Sequence, residues 1–204
     1  SGAQSVVGGS STRLSLELIQ LVWGYAQPVA GPLNLQIARG ERVGLTGANG
    51  TGKSTLLKAI QGEARVHAGE MFVDASDIAY QPQVPVRLEQ MPWSVREQLD
   101  VLGASTLELP ETLHPTLNRR ADRLSGGQLQ LFAIWGVLAG PADLVLLDEP
   151  TSYLDPEHAD IVEASLLTMD EEKSAIIVSH DRGFIERTCS RCVELADRIG
   201  AEIP

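Results

Sequence analysis

The sequence predicts an α/β domain with a mostly parallel sheet, and three observations carry that expectation. Apolar, strand-like runs alternate along the chain with helix-like segments, the pattern of strands joined by helical crossovers. Two of the runs, LVLLD (144–148) and AIIVS (175–179), are continuously apolar, as strands covered on both faces are. A glycine-rich stretch, GLTGANGTGKSTLL (44–57), separates an apolar run from a helix-forming one.

The elements follow in order. RLSLELIQL (13–21) and LNLQIA (33–38) alternate apolar and polar residues, which predicts half-buried strands. ERVGLTG (41–47) runs as a strand into the glycine loop, and KSTLLKAIQ (53–61) leaves it as a helix. GEMFVD (69–74) and DIAYQP (77–82) read as two short strands. Between Val84 and Arg123 the texture changes to prolines and helical pieces. Within it SVRE (94–97) has capping-box form: Ser94 accepts from a backbone amide while Glu97 reaches back. A helix over 126–139 leads to the LVLLD strand. Asp155 then caps a further helix with Pro156 in its first turn. No internal repeat is visible. The opening SGAQSVVGGSST (1–12) reads as a flexible tail of the kind an expression vector leaves, with one domain over 13–204.

A length of 204 residues suits one domain with a real core. Hydrophobic content of 43% with 21% charged residues describes a soluble globule. The balance of 16 Lys and Arg against 27 Asp and Glu, a net −11, disfavours a general nucleic-acid footprint and leaves a local basic patch open. No apolar run approaches the roughly 18 residues of a membrane-spanning helix, and no signal-peptide pattern is present. Cys189 and Cys192, spaced C-x-x-C, read either as a redox or metal pair or as two reduced cysteines near a C-terminal strand. A zinc site would want two more ligands and no second pair exists, so reduced thiols and a cytoplasmic setting are expected.

Gly47-Ala48-Asn49-Gly50-Thr51-Gly52-Lys53-Ser54 fits G-x-x-x-x-G-K-S/T at every fixed position, with Thr55 next. Phosphate oxygens are best met by backbone N–H groups, the most compact donors available, and glycines let the chain curl without a Cβ in the way. The following helix aims its first amides at the same anion. In that arrangement Lys53 reaches the β- and γ-phosphates and the Ser54 hydroxyl ligates Mg²⁺. The loop is therefore expected to bind a nucleoside triphosphate.

At DLVLLDEP (143–150) an apolar strand ends in two adjacent carboxylates. Asp148 would hold Mg²⁺ through water, and Glu149, pointing the other way, would act as general base on the attacking water.

LSGGQ (124–128) is an uncommon pentapeptide lying about twenty residues before LLDEP (146–150). With it the chain resembles the ATP-binding cassette (ABC) ATPases over nearly its whole length. The resemblance implies a P-loop NTPase core with an antiparallel β subdomain and a small helical subdomain near 84–140. It implies that Ser125, Gly126, Gly127 and Gln128 cover the ATP held by the loop of another cassette, two Mg-ATP being sandwiched in a head-to-tail homo- or hetero-dimer. Gln83 in YQPQ matches the Q-loop glutamine that senses Mg²⁺ and the γ-phosphate, with Gln81 its rival if the strand register slips. His180 in VSHD matches the switch histidine, and Asp155 in SYLD the residue that communicates across the dimer. Tyr25 suits the aromatic that stacks on adenine, with Trp23 the alternative. The chain departs from the family in carrying no positive charge from Gly126 to Gly140, where Leu131, Phe132 and Trp135 read as core or partner-facing. The 84–123 segment is also short for the family's helical subdomain.

Two roles follow from the resemblance. One is the ATPase subunit of a membrane transporter, cytoplasmic, docked on a transmembrane permease at the inner face of the membrane without inserting into it. The other is one cassette of an ABC-F-like tandem protein acting on ribosomes, because SHDRGFIER (179–187) resembles the wording of that branch. Against the second stand the net −11 and the lack of that branch's Asn-His in SYLD.

Overall fold

The computed structural model of the chain describes residues 13–83 and 93–195. The expected tail over 1–12, residues 84–92 of the expected helical insertion, and 196–204 lie outside the described residues.

Two sheets make the frame. Strands β3 (Arg42–Thr46), β5 (Ile78–Gln81), β6 (Leu144–Asp148), β7 (Ser174–Val178) and β8 (Arg191–Glu194) form a parallel sheet in the order β5-β6-β7-β3-β8. Strands β1 (Leu14–Gly24), β2 (Pro28–Ala38) and β4 (Arg65–Val73) form an antiparallel sheet in the order β2-β1-β4. The helices are α1 (Lys53–Gln61), α2 (Val95–Val101), α3 (Gly126–Leu138), α4 (Pro156–Leu167) and α5 (Arg182–Thr188). The predicted architecture, a mostly parallel core with an antiparallel sheet beside it and helices, is the one observed.

The period of two along a strand explains why β6 and β7 are apolar throughout. Val145, Leu147, Ala175 and Ile177 face one core, shared with α2 to α5. Leu144, Leu146, Ile176 and Val178 face a second, shared with α1 and the antiparallel sheet through Leu56, Leu57, Leu16 and Trp23. Both strands are fully buried, and their upper ends carry the acidic pair and the 179–180 turn.

Strands β1 and β2 run longer than the alternation predicts, to Gly24 and from Pro28, because hairpin pairing carries the ladder through residues with no strand pattern. The Ser94 capping box with Glu97 forms as expected, and Asp155 caps α4 by accepting from the His158 amide. Ser125 and Gln128 make a second capping box at the start of α3.

Helix α3 explains its own lack of charge. Gln130, Leu131, Phe132, Ile134, Trp135, Gly136 and Leu138 are all buried, so a basic side chain on most of its faces would be desolvated. The cation that suits a helix C-terminus comes from elsewhere: Lys173, before β7, donates its Nζ to Leu138 O at 2.7 Å and to Gly140 O. Burial lowers the Lys173 pKa, with Asp170 and Asp143 opposing the shift.

Leu146 is fully buried between the two layers, whereas Leu107 is 92% exposed. Leu146→Ala is expected to lower the unfolding free energy by about 2–5 kcal/mol in urea titration, and Leu107→Ala to stay within about 0.5 kcal/mol of wild type. Similar losses in both would mean that the parallel sheet is not the centre of the core.

Candidate functional site

The ends of β3, β6 and β7 meet around an open groove of about 670 Å³. The glycine loop follows β3 directly. Gly47 sits at φ +140°, where a Cβ would come within 2.6 Å of Leu195 O, and Gly52 at φ +84°, where one would lie 2.9 Å from the Ala30 methyl. Neither position admits a side chain. The loop is held from within and from below: Thr51 Oγ1 donates to Ala48 O at 3.0 Å, and the buried Trp23 donates its indole N–H to Gly52 O at 2.9 Å. Lys53 Nζ donates to Gly47 O at 2.9 Å and Ala48 O at 2.8 Å, so the lysine crosses the mouth of the curl.

Ser54, in the first turn of α1, donates to Asp148 Oδ1 at 3.0 Å, and Tyr80 donates to Asp148 Oδ2 at 3.4 Å. Asp148 is 3% exposed. Burial raises its pKa; the Ser54 hydrogen bond opposes that, the neighbouring Glu149 charge adds to it, and the Tyr80 hydroxyl opposes it again. Tyr80 is itself raised, by burial and by the Asp148 charge.

Among the described residues no cluster of three or more His, Cys, Asp or Glu stands ready to hold a metal alone. What is present is a hydroxyl and a carboxylate 3.0 Å apart with the Gln83 amide lining the same groove. This sparse all-oxygen set fits Mg²⁺ that keeps waters and takes its remaining ligands from phosphates.

Glu149 adopts φ +50°, a left-handed conformation uncommon for a residue with a Cβ. Its amide donates to Val178 O at 2.9 Å, tying the turn to β7. Its Oε2 lies 2.8 Å from His180 Nδ1 and accepts from Ser152 Oγ at 3.3 Å. The carboxylate is largely covered, while the imidazole stands at the surface.

The groove brings together Tyr25, Asn49, Gly50, Gly52, Lys53, Ser54, Thr55, Gln83, Glu149 and His180. Thr51 and Asp148 lie buried beneath it. Gln83 is exposed and lines the groove, whereas Gln81 is 2% exposed and turned inward. Tyr25 is half exposed at the rim, and Trp23 lies inside the core.

Ser125, Gly126, Gly127 and Gln128 do not line this groove. Ser125 and Gly126 are exposed at the start of α3, and a Cβ on Gly126 would meet nothing within 4 Å. Asp155 receives the His158 amide at 2.9 Å on one oxygen and lies 2.7 Å from His158 Nδ1 on the other. That imidazole stands against Gly127, 3.7 Å from where a Cβ would be. Both cysteines are free; burial pushes the Cys189 thiol up to about 11, which suppresses thiolate chemistry there.

The sequence reading missed the roles of Tyr80, His158, Gln130 and the Trp23 buttress. Each depends on contacts between distant segments, and no local spacing signals them.

Comparisons with known proteins agree with one another. The family described as ABC transporter matches residues 30–112 and 96–152. The chain is 31% identical to the energy-coupling factor transporter ATP-binding protein EcfA of Methanothermobacter thermautotrophicus, over 86% of this chain and 66% of that protein. It is 31% identical to ABC transporter F family member 2 of Arabidopsis thaliana, over 93% of this chain and 29% of that one. It is 30% identical to the branched-chain amino acid transport ATP-binding protein LivF of Archaeoglobus fulgidus, over 89% and 85%. The chain thus spans about two thirds of the first relative and under a third of the second. Among solved structures, the ATP-binding subunit of an ABC transporter superposes with TM-score 0.75 at 27% identity, covering 88% of this chain and 85% of that one.

The raised pKa of Asp148 has a sign that can be checked. The folded state holds the proton more tightly than the unfolded chain, so stability falls as pH rises through the interval between the two values. Without nucleotide or metal, Asp148→Asn is expected to melt a few degrees above wild type at neutral pH, the gap closing as the medium is acidified below the ordinary carboxylate range. A variant that melts lower at every pH would mean that the buried charge is not a net cost to the fold.

Proposed function

The chain belongs to the ABC transporter family as an ATP-binding domain, and on that premise we propose that it binds Mg-ATP in the groove, hydrolyses it and drives a partner protein. The observation that carries the reading is the Glu149–His180 pair, 2.8 Å apart in the groove that Lys53 and Ser54 also line. Amides of the glycine loop and the first turn of α1 supply donors for the phosphates. Lys53 exchanges its two loop carbonyls for β- and γ-phosphate oxygens, a charge-assisted contact stronger than the neutral ones it leaves. Ser54, Asp148 and Gln83 would hold Mg²⁺, whose chemistry is to offset charge on the phosphoryl oxygens. Glu149 takes the proton of the attacking water, and His180 fixes the carboxylate and meets the γ-phosphate. Tyr25 offers its ring to adenine.

The signature residues Ser125 to Gln128 stand away from the chain's own groove at the exposed start of a helix, which suits them to cover ATP held by a second cassette, identical or related. Asp155, beside them, would carry the state of one site to the other. ATP closes such a dimer and hydrolysis reopens it.

For the partner, the relatives named as transport ATP-binding proteins support a transmembrane permease, with this domain cytoplasmic and peripheral at the inner face of the membrane. Among the described residues no helix is long and apolar enough to cross a membrane. A second reading, an ABC-F-like cassette acting on ribosomes, is favoured by one observation: the plant F-family relative aligns with 93% of this chain.

Glu149→Gln is expected to keep wild-type ATP affinity while turnover falls by roughly 10²–10⁴-fold, the usual worth of a general base. Hydrolysis at a near wild-type rate would remove Glu149 from that role. The same variant, trapped with Mg-ATP in a lysate of the cell that makes it, is expected to be retained by a detergent-solubilised membrane protein. Sedimentation with ribosomes would select the second reading instead.

In a companion test, Ser125→Arg is expected to leave ATP binding by the monomer within about twofold and to abolish ATP-driven dimerisation in light scattering. Equal loss of both would mean that the signature does not act on another cassette's nucleotide.

A further inference from the structure

Beneath the groove lie two glutamine side chains that no step of the reaction above uses. Gln81 ends β5 at 2% exposure, and Gln130 sits in the second turn of α3 at 1%. Gln81 Nε2 donates to Pro82 O at 2.7 Å and to Gln130 Oε1 at 3.3 Å; Gln130 Nε2 in turn donates to Pro150 O at 3.4 Å. The amides thus form a chain running from β5 through α3 to the residue that follows Glu149.

We propose that Gln81 and Gln130 are positioning residues: a buried amide relay that sets the Gln83 segment, the Glu149 turn and the signature end of α3 relative to one another. The proposal rests on the ATPase reading.

Three features support it. Each arm of the relay adjoins a site residue. Gln81 grips the carbonyl of the peptide that links Pro82 to Gln83, Pro150 is bonded to Glu149, and α3 begins at the signature glycines.

Secondly, burying a primary amide is unfavourable unless it is hydrogen-bonded, and two apolar residues of the same shape would leave a core here nearly as stable or more so. Simple filling of the core therefore does not account for the pair.

Thirdly, the first half of α3 is otherwise held by apolar packing, its other directional side-chain contact being the Trp135 indole, which donates to Ser105 O at 2.9 Å in the C-terminal half. Among the described residues its side chains form no ion pair, its start is capped by its own Ser125, and Lys173 grips only its end. Apolar packing fixes how a helix is turned less sharply than a directional amide contact does.

Methionine matches glutamine in length and removes the polar amide, so Gln81→Met, Gln130→Met and the double variant test the relay. Three quantities are compared with wild type in the full chain: kcat at saturating Mg-ATP, KM, and the melting temperature. Each single variant is expected to lose about tenfold in kcat with KM within twofold. The double variant should lose no more than the worse single, because one break already opens the relay. Its melting temperature should match or exceed wild type.

An unchanged kcat, a loss confined to KM, or a double variant that multiplies the two single losses would overturn the proposal. Should Gln81→Met fail to fold, Gln130→Met alone reads the same kcat and KM comparison. Absence of ATP turnover in the wild-type chain would sink the ATPase reading and the relay with it. Glu149-dependent turnover that survives both methionines would sink the relay alone.

Discussion

The constraint on which the rest depends is the burial of one carboxylate. Asp148 lies at the end of a strand in the interior of the sheet, 3% exposed, and is met by Ser54 from the far side of the sequence and by Tyr80 from the neighbouring strand. A group placed there must be approached by elements that arrive in register. Strand β6 therefore lies between β5, which brings Tyr80, and β7, which accepts the Glu149 amide, while α1 sets its first turn over the sheet end. Burial works against the ionised form, so the site holds its charge at a cost that the two apolar layers around it offset. A cation near that carboxylate would relieve the same cost, which links affinity for metal to the architecture rather than to any one ligand.

The two cores divide the work. One face of β6 and β7 packs with α1 and the antiparallel sheet, the elements that shape and buttress the glycine loop through Trp23 and Gly52. The other packs with α2 to α5, including the helix whose first residues are the signature. Each face thus carries one half of the proposed chemistry: phosphate binding on one, the surface offered to another cassette on the other. A shared strand pair lets a change at the Glu149 turn reach both, and the amide relay is the polar contact that joins them.

How far the site was legible follows from what each residue depends on. The glycine loop and the acidic pair could be read because backbone curvature and strand ends demand residue types at fixed local spacing. The same holds for the Asp155 cap, where a side chain bonds an amide three residues on. Trp23 could not be read as a buttress, since its indole reaches Gly52 only once β1 lies across the start of α1. Gln81 and Gln130 are 49 residues apart, and Lys173 is 35 from the carbonyl it caps. Those contacts exist because particular strands became neighbours, which periodicity does not report. The uncharged α3 looked anomalous in sequence for the same reason, its cation being supplied from another loop. The lengths of β1 and β2 were underestimated because cross-strand pairing outweighs local pattern at a hairpin.

The separation of the groove from the signature residues has a physical logic of its own. A site that held every group in one chain would meet ATP equally well whether or not anything followed, and binding energy would not be convertible into motion. Here the groove supplies the lysine, the hydroxyl, the carboxylates and the histidine, while Ser125 and Gly126 stand exposed outside it. If a second cassette supplies the remaining amides, ATP binds the closed pair more tightly than either open half, and only such a difference lets a ligand shift a conformational equilibrium. Gly127 then has two neighbours: the nucleotide of the other cassette outside, and His158 with its bound Asp155 inside, 3.7 Å from where a Cβ would stand. A Cβ at that distance would make only ordinary contact with the imidazole, so in the proposed dimer the glycine answers to the nucleotide side, with the Asp155–His158 pair packed behind it.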